Sequence, residues 1–251
     1  MADPYVDPAS GVLRNRLGIT DPRELEAVER DFTSATLSQL EVEPLPGDYD
    51  LAHLQAFHRA IFGDIYPWAG ELRVVHLAKA ASLFCRPEHI HSAGRDIFRA
   101  LAEQQWLRGL DRGPFLDGAT YYLGEINALH PFRDGNGRTQ RAFVGQLSRD
   151  AGHPIDWSGL LAAENIKASQ ALMVGDVGPM RALLEELVSH RPASPGSPSA
   201  ARSRAELRAE AKRADPALGR QAWLRRSRSS PPPDGPGRGP AGAGPEPDRS
   251  P

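Results

Sequence analysis

Phe115-Leu-Asp-Gly-Ala-Thr-Tyr-Tyr-Leu-Gly-Glu-Ile-Asn-Ala-Leu-His130-Pro-Phe-Arg-Asp-Gly-Asn-Gly-Arg-Thr-Gln-Arg141 is the stretch on which the reading of this chain turns. Its first half places Phe115, Ala119, Tyr122, Ile126 and Leu129 three or four residues apart, the mark of a helix with one buried face. The stripe runs straight into His130. After a turn at Gly135-Asn136-Gly137, Phe143, Val144 and Leu147 mark a second helix, which stops at Gly152 with Pro154 just beyond, as helix ends do. Two helices joined by a short glycine turn predict an all-α fold whose special residues lie in the connection.

Those residues form one chemical set. A histidine titrating near neutrality accepts a proton from an attacking hydroxyl, which suits His130 as a base. Asp134 is a hard oxygen ligand of the kind that holds a magnesium ion carrying phosphates. Gly135-Asn136-Gly137 permits unusual dihedrals just before a helix, so its N–H groups and the helix dipole point at an anion. Arg138 and Arg141 share one face of that helix and make a fork for phosphate oxygens. Taken singly, each is the ordinary furniture of a turn or a wet helix face. In this order within twelve residues they describe a nucleotide phosphate site. Neither the Gly-x-x-x-x-Gly-Lys phosphate loop nor a Gly-x-Gly-x-x-Gly opening a βαβ unit is present.

Working outward, helical spacing recurs. Asp21-Pro22-Arg23-Glu24 carries a capping residue, a proline at the first helical position and an acid at the third, ahead of Leu25, Val28, Phe32 and Ala35. Leu51, Leu54 and Ile61 make another stripe, interrupted only by His58. Further stripes run through Ile90, Ile97 and Leu101, through Leu160, Leu161 and Ala168, and through Met180, Leu183, Leu184 and Leu187. One region breaks the rhythm. Residues 72–77 are β-prone, 78–81 suit a turn and 82–85 suit a returning strand, so a small hairpin is predicted, with an irregular loop as the alternative. An exposed hairpin edge accepts an extended peptide.

Composition bounds the remaining choices. The chain has 251 residues, enough for a sizeable core, with 40% apolar and 25% charged residues. A lone cysteine, Cys85, excludes an intramolecular disulfide framework and argues against a thiolate metal site. No basic-then-apolar leader opens the sequence, and no stretch reaches the roughly 18 apolar residues of a spanning helix, so a cytoplasmic protein with no membrane partner is expected. The net charge of −2 divides into −8 over residues 1–190 and +6 over 191–251. The second part, rich in Pro, Gly, Ser and Arg, is expected to be a disordered basic tail, with at most weak nucleic-acid binding.

Residues 130–141 fit without a gap the signature His-Pro-Phe-x-[Asp/Glu]-Gly-Asn-Gly-Arg-x-x-Arg, and on it the chain resembles the Fic family of protein adenylyltransferases. Gly11 to Ile19 and Ile65 to Arg73 are similar to segments that precede the motif in bacterial Fic proteins, so the resemblance covers roughly residues 5–190. It implies a compact helical domain with a β-hairpin flap at about 73–85, formed here by Arg73, Val74, Val75, His76, Leu77, Ala78, Lys79, Ala80, Ala81, Ser82, Leu83 and Phe84, holding the target segment. It implies His130 as the general base acting on a Ser, Thr or Tyr hydroxyl of a protein substrate. Asp134 would hold Mg²⁺ between the α- and β-phosphates of ATP. The backbone of Gly135 to Gly137 and the Asn136 side chain would cradle the phosphates, and Arg138 and Arg141 would neutralise the leaving pyrophosphate. Phe132 would anchor the loop in the core and Pro131 set its path.

Many relatives carry an inhibitory helix with [Ser/Thr]-x-x-x-Glu-[Gly/Asn]. Thr20 to Glu24 matches only its first half, since Leu25 follows. By resemblance, inhibition then comes in trans from a small antitoxin-like protein, or is absent. Doc-type relatives are kinases and others transfer a different phosphate-containing group. Gly137 and Arg138, where Doc-type kinases depart from the pattern, favour AMP transfer. A non-catalytic interaction module would need a broken motif, and this one is complete.

Overall fold

Among the described residues seven α-helices build the domain, and the starts of the first two follow from local chemistry. The Asp21 carboxylate accepts hydrogen bonds from the N–H groups of Arg23 (2.8 Å) and Glu24 (2.9 Å) and so caps α1 (Pro22–Val42), with Pro22 where a missing donor costs nothing. Asp50 caps α2 (Leu51–Phe62) through the His53 N–H at 2.7 Å. There follow α3 (Ile90–Glu103), α4 (Arg112–Leu129), α5 (Asn136–Asp150), α6 (Ala162–Met173) and α7 (Gly178–Leu187). In this computed structural model residues 3–79 and 82–188 are described. The expected tail at 191–251 lies outside the described residues, as do Ala80 and Ala81 of the expected flap.

Helix α5 is the central strut, lying against α1, α2 and α4, while α4 also meets α3, α6 and α7. Position after position of its second half is buried, from Phe143 through Ser148. The polar members of that run are satisfied, as burial requires. Gln146 accepts from the Leu45 N–H at 2.8 Å and donates to the Leu45 carbonyl at 2.9 Å, and Ser148 donates to the Gly145 carbonyl at 2.8 Å. Edge-on contacts of Phe143 with Tyr49, Phe57 and Phe98 tie α5 to α2, α3 and the connection before α2. Each predicted apolar stripe corresponds to one of the seven helices. The stripe on α6 is the weakest match: only Ala168 of that helix is buried, and Leu161 just before it is exposed.

The strand expected over 72–77 is not formed. Antiparallel pairing is confined to Ala78 with Leu83 and Lys79 with Ser82, so β1 (Ala78–Lys79) begins where a turn was expected and β2 (Ser82–Leu83) answers it. The backbone of the preceding segment is engaged elsewhere. The Arg73 N–H donates to the Pro131 carbonyl at 2.9 Å and the Val74 N–H to the Tyr5 hydroxyl at 3.1 Å. The Val75 carbonyl accepts from the Arg73 guanidinium at 2.7 Å. Contacts to the N-terminal arm and to the 130–136 connection have outcompeted a local ladder.

Candidate active site

The connection between α4 and α5 is fixed from both ends. His130 terminates α4 in the left-handed region (φ 44°, ψ 59°), its N–H still bonded to the Ile126 carbonyl at 3.1 Å. A side chain with a Cβ rarely adopts that conformation unless its surroundings impose it. At the other end Gly135 precedes α5 with φ 78°, and a Cβ there would lie 2.4 Å from the Phe62 ring. Glycine is required at this position on both counts. Between them, Asn136 closes the loop on itself: its side-chain amide donates to the Phe132 carbonyl at 2.8 Å and accepts from the Phe132 N–H at 2.9 Å. Both ends of that amide are committed to loop closure. Phe132 and Pro131 are buried, as anchoring demands.

A residue that looked like a flaw in a stripe holds this loop to α2. His58 is fully buried; its Nδ1 accepts the Gly70 N–H at 2.8 Å and its Nε2 lies 2.9 Å from the Asp134 carbonyl. A backbone N–H can only donate and a carbonyl only accept, so the proton sits on Nε2 and the ring is neutral. Burial pushes its pKa down to about 4, outweighing the Asp134 carbonyl that favours the charged form. Phe132 stacks on the ring at 4.0 Å.

The motif arginines divide. Arg138 donates to Glu29 of α1 at 2.6 Å and to the Thr33 hydroxyl at 3.4 Å, and its guanidinium lies 4.7 Å over the Phe62 ring. Glu29 also receives the Tyr66 hydroxyl, whose pKa is raised first by burial and then by that bond. Arg138 is thus a strut between α5 and α1, with its charge already answered by a carboxylate. Arg141 has no hydrogen-bond or ion-pair partner among the described residues, and burial followed by Arg138 lowers its pKa. One of its terminal nitrogens lies close to Gly137. Beside it, the N–H groups of Asn136, Gly137 and Arg138 open α5 with no side-chain cap. Asp134 turns one carboxylate oxygen to the Gly135 N–H at 2.8 Å.

The expected flap residues separate likewise. Val74, His76 and Ala78 are exposed, whereas Arg73, expected on the exposed edge, is 1% exposed. Its guanidinium donates to the carbonyls of His130 (2.8 Å), Val75 and Cys85. Phe84 stacks on the His130 ring at 3.7 Å and 13°. His58, Glu29 and the inward use of Arg73 are the site residues that sequence reasoning missed. Only His58 left a signal there, a histidine on an otherwise apolar helix face.

Among the described residues no group of three or more His, Cys, Asp or Glu side chains is placed to hold a metal ion. A magnesium ion bound chiefly through phosphate oxygens needs only one or two protein carboxylates, and Asp134 beside the uncapped start of α5 fits that requirement.

Comparison with known proteins finds relatives of this fold. The Fic/DOC family model matches residues 48–147. The protein adenylyltransferase VbhT of Bartonella schoenbuchensis is 44% identical over 182 residues, 72% of this chain, which spans only 38% of that protein. The probable protein adenylyltransferase y4lH of Sinorhizobium fredii is 39% identical over 74% of this chain and 96% of its own length. The crystal structure of the BepC protein of Bartonella tribocorum, with bound AMPPNP, superimposes with a TM-score of 0.69 at 25% identity, covering 74% of this chain and 97% of that one. A helix–glycine turn–helix core with its histidine at the turn, and a 39% identical relative matched over nearly its whole length, place this chain in the Fic/DOC family.

Proposed function

We propose that the chain is a protein adenylyltransferase that moves AMP from ATP to a hydroxyl of a target protein, with residues 1–190 as its catalytic unit. The observation that carries this reading is the start of α5, where three backbone N–H groups without a side-chain cap lie a few residues after His130, near an Arg141 guanidinium that has no hydrogen-bond or ion-pair partner among the described residues. A helix start favours an anion by about 0.3–1 kcal/mol at the surface, and by up to about 2 kcal/mol when partly buried. An unpaired, partly desolvated guanidinium adds a charge-assisted bond to a phosphate oxygen. Relatives named protein adenylyltransferases, and a similar structure with bound AMPPNP, support ATP as the donor.

The chemistry assigned to these residues is in-line displacement. His130 takes the proton of a target Ser, Thr or Tyr hydroxyl. The oxygen attacks the α-phosphorus, the bond from that phosphorus to the bridging oxygen breaks, and pyrophosphate leaves. His130 Nδ1 lies 3.3 Å from the Asn127 carbonyl, which favours the tautomer carrying its lone pair on Nε2. The Asn136–Gly137–Arg138 N–H groups and Arg141 hold the phosphates against repulsion as charge builds on the leaving group. Asp134 would hold Mg²⁺, which supplies further neutralisation of the phosphates. The paired strands β1 and β2 support a target-binding role for this region by backbone pairing, which reads little side-chain identity. A co-substrate that is ATP favours the cytoplasm as the place of action. The absence of a complete inhibitory-helix sequence favours a small antitoxin-like protein acting in trans, as in a toxin–antitoxin pair.

Purified protein incubated with Mg²⁺ and ATP labelled on the α-phosphate is expected to mark a protein in a bacterial lysate, with a mass increase of one AMP on a hydroxyl residue. His130→Ala should abolish the label. Transfer of the γ-label alone would instead establish a kinase.

A further inference from the structure

We propose that Arg73 and Phe84 are positioning residues for the His130 imidazole, and that through them the placement of the base depends on the segment 73–85. The proposal rests on the adenylyl-transfer reading above and adds to it two side chains that act through their contacts with His130.

His130 sits in a backbone conformation that a residue with a Cβ avoids, so something must hold it there. Two groups from one segment do so. The Arg73 guanidinium donates to the His130 carbonyl at 2.8 Å, while the Arg73 N–H donates to the next carbonyl, Pro131, at 2.9 Å. The phenyl ring of Phe84 lies 3.7 Å from the imidazole and nearly parallel to it. Both the main chain and the ring of the base are therefore held by one stretch of chain.

The same guanidinium closes the base of the segment. Its other two donor groups reach the carbonyls of Val75 and Cys85, one on each arm, before β1 and after β2. The Cys85 N–H in turn donates to the Ala128 carbonyl in the last turn of α4, at 2.9 Å. Arg73 is 1% exposed, yet no carboxylate pairs with it among the described residues. A buried cation answered only by main-chain carbonyls is a costly way to fill space, and a planar fork with five donors is what three carbonyls in different directions demand. Phe84 adjoins Cys85, so a displacement of this segment moves the stacked ring and the His130 carbonyl together. A target strand pairing beside β1 and β2 would bear on the same brace.

The test uses the full chain and three variants, Phe84→Leu, Arg73→Met and Arg73→Lys. Three quantities are read: the His130 ring-proton resonances by NMR, AMPPNP affinity by calorimetry, and label transfer from α-labelled ATP into a bacterial lysate. Phe84→Leu should move the His130 ring protons downfield as the ring current is lost, and slow transfer about tenfold. Arg73→Met should slow it up to about 100-fold, the scale of an ångström's misplacement of a reacting group. Arg73→Lys should recover part of that loss. AMPPNP affinity should stay within twofold of wild type throughout, because the start of α5 is untouched. Wild-type transfer rates with unmoved His130 resonances would overturn the proposal. So would AMPPNP affinity falling in parallel with transfer, which would mean a general loss of structure. If Arg73→Met does not fold, Phe84→Leu decides alone. If wild type transfers no label, the adenylyl-transfer reading fails, and the NMR arm still decides whether Phe84 and Arg73 hold the ring.

Discussion

His58 shows how one side chain converts burial into placement. It is the only link described between α2 and the Asp134 carbonyl, and it works only when neutral. In the unfolded chain it titrates near 6.5, and in the fold near 4. Between these values the unfolded state binds the extra proton, so stability rises with pH across the window, is complete above about 6.5 and is lost as pH falls towards 4. The shift corresponds to roughly 3 kcal/mol at most. Urea unfolding at pH 7 and pH 4 should show a fall in stability that shrinks by about that amount in His58→Leu, which will itself be less stable at pH 7 for want of both hydrogen bonds. An unchanged pH dependence in the variant would remove His58 from this role. At this scale the sequence was partly legible. The residue types at 130–141 suggest phosphate chemistry, but the division of labour among their side chains was hidden. Nothing local distinguishes an arginine bound for Glu29, 109 residues away, from one left for an anion.

At the scale of elements, α1 does more than cover the core. Through Glu29 it sets the Arg138 end of α5, and through Arg138 the angle at which the first turn of α5 presents its N–H groups. Removing Glu29 would leave a partly buried guanidinium and the Tyr66 hydroxyl without their acceptor. Glu29→Ala should lower stability by about 2 kcal/mol, less than the 3–5 kcal/mol of a fully buried pair, because the Arg138 side chain keeps 26% of its exposure. Glu29→Gln should cost about half as much, since it still accepts from Arg138. Equal unfolding curves for wild type and Glu29→Ala would contradict the strut. The helices themselves were readable because all but α6 bury a stripe of residues, and α1 and α2 also carry their own start signals, Asp21-Pro22 and Asp50. The strand at 72–77 was not, because its β-prone residues say nothing of Tyr5 and Pro131, the distant groups that engage its backbone.

At the scale of the molecule, four separate parts of the described chain hold the turn at 130–136 and its flank. α2 holds it through His58, α1 through Arg138, the segment 73–85 through Arg73, and the N-terminal arm through Asp3, whose carboxylate meets Arg133 at 2.8 Å. All of these contacts fall within residues 3–188, and no helix among the described residues is long and apolar enough to cross a membrane. A variant ending at residue 190 should therefore melt within about 2 °C of the full chain and transfer label at an undiminished rate, shifts in Tm of several degrees being the mark of a lost kcal/mol. A much lower melting temperature would show that 191–251 contributes to the catalytic unit.

The central claim is that the start of α5 seats a triphosphate beside the His130 imidazole, and a crystal structure with AMPPNP and Mg²⁺ tests it directly. Phosphate oxygens should lie within about 3 Å of the Asn136–Arg138 N–H groups and of Arg141, with His130 Nε2 facing the side of the α-phosphorus opposite its bond to the β-phosphate. An empty turn, or an imidazole turned away from that phosphorus, would contradict the account.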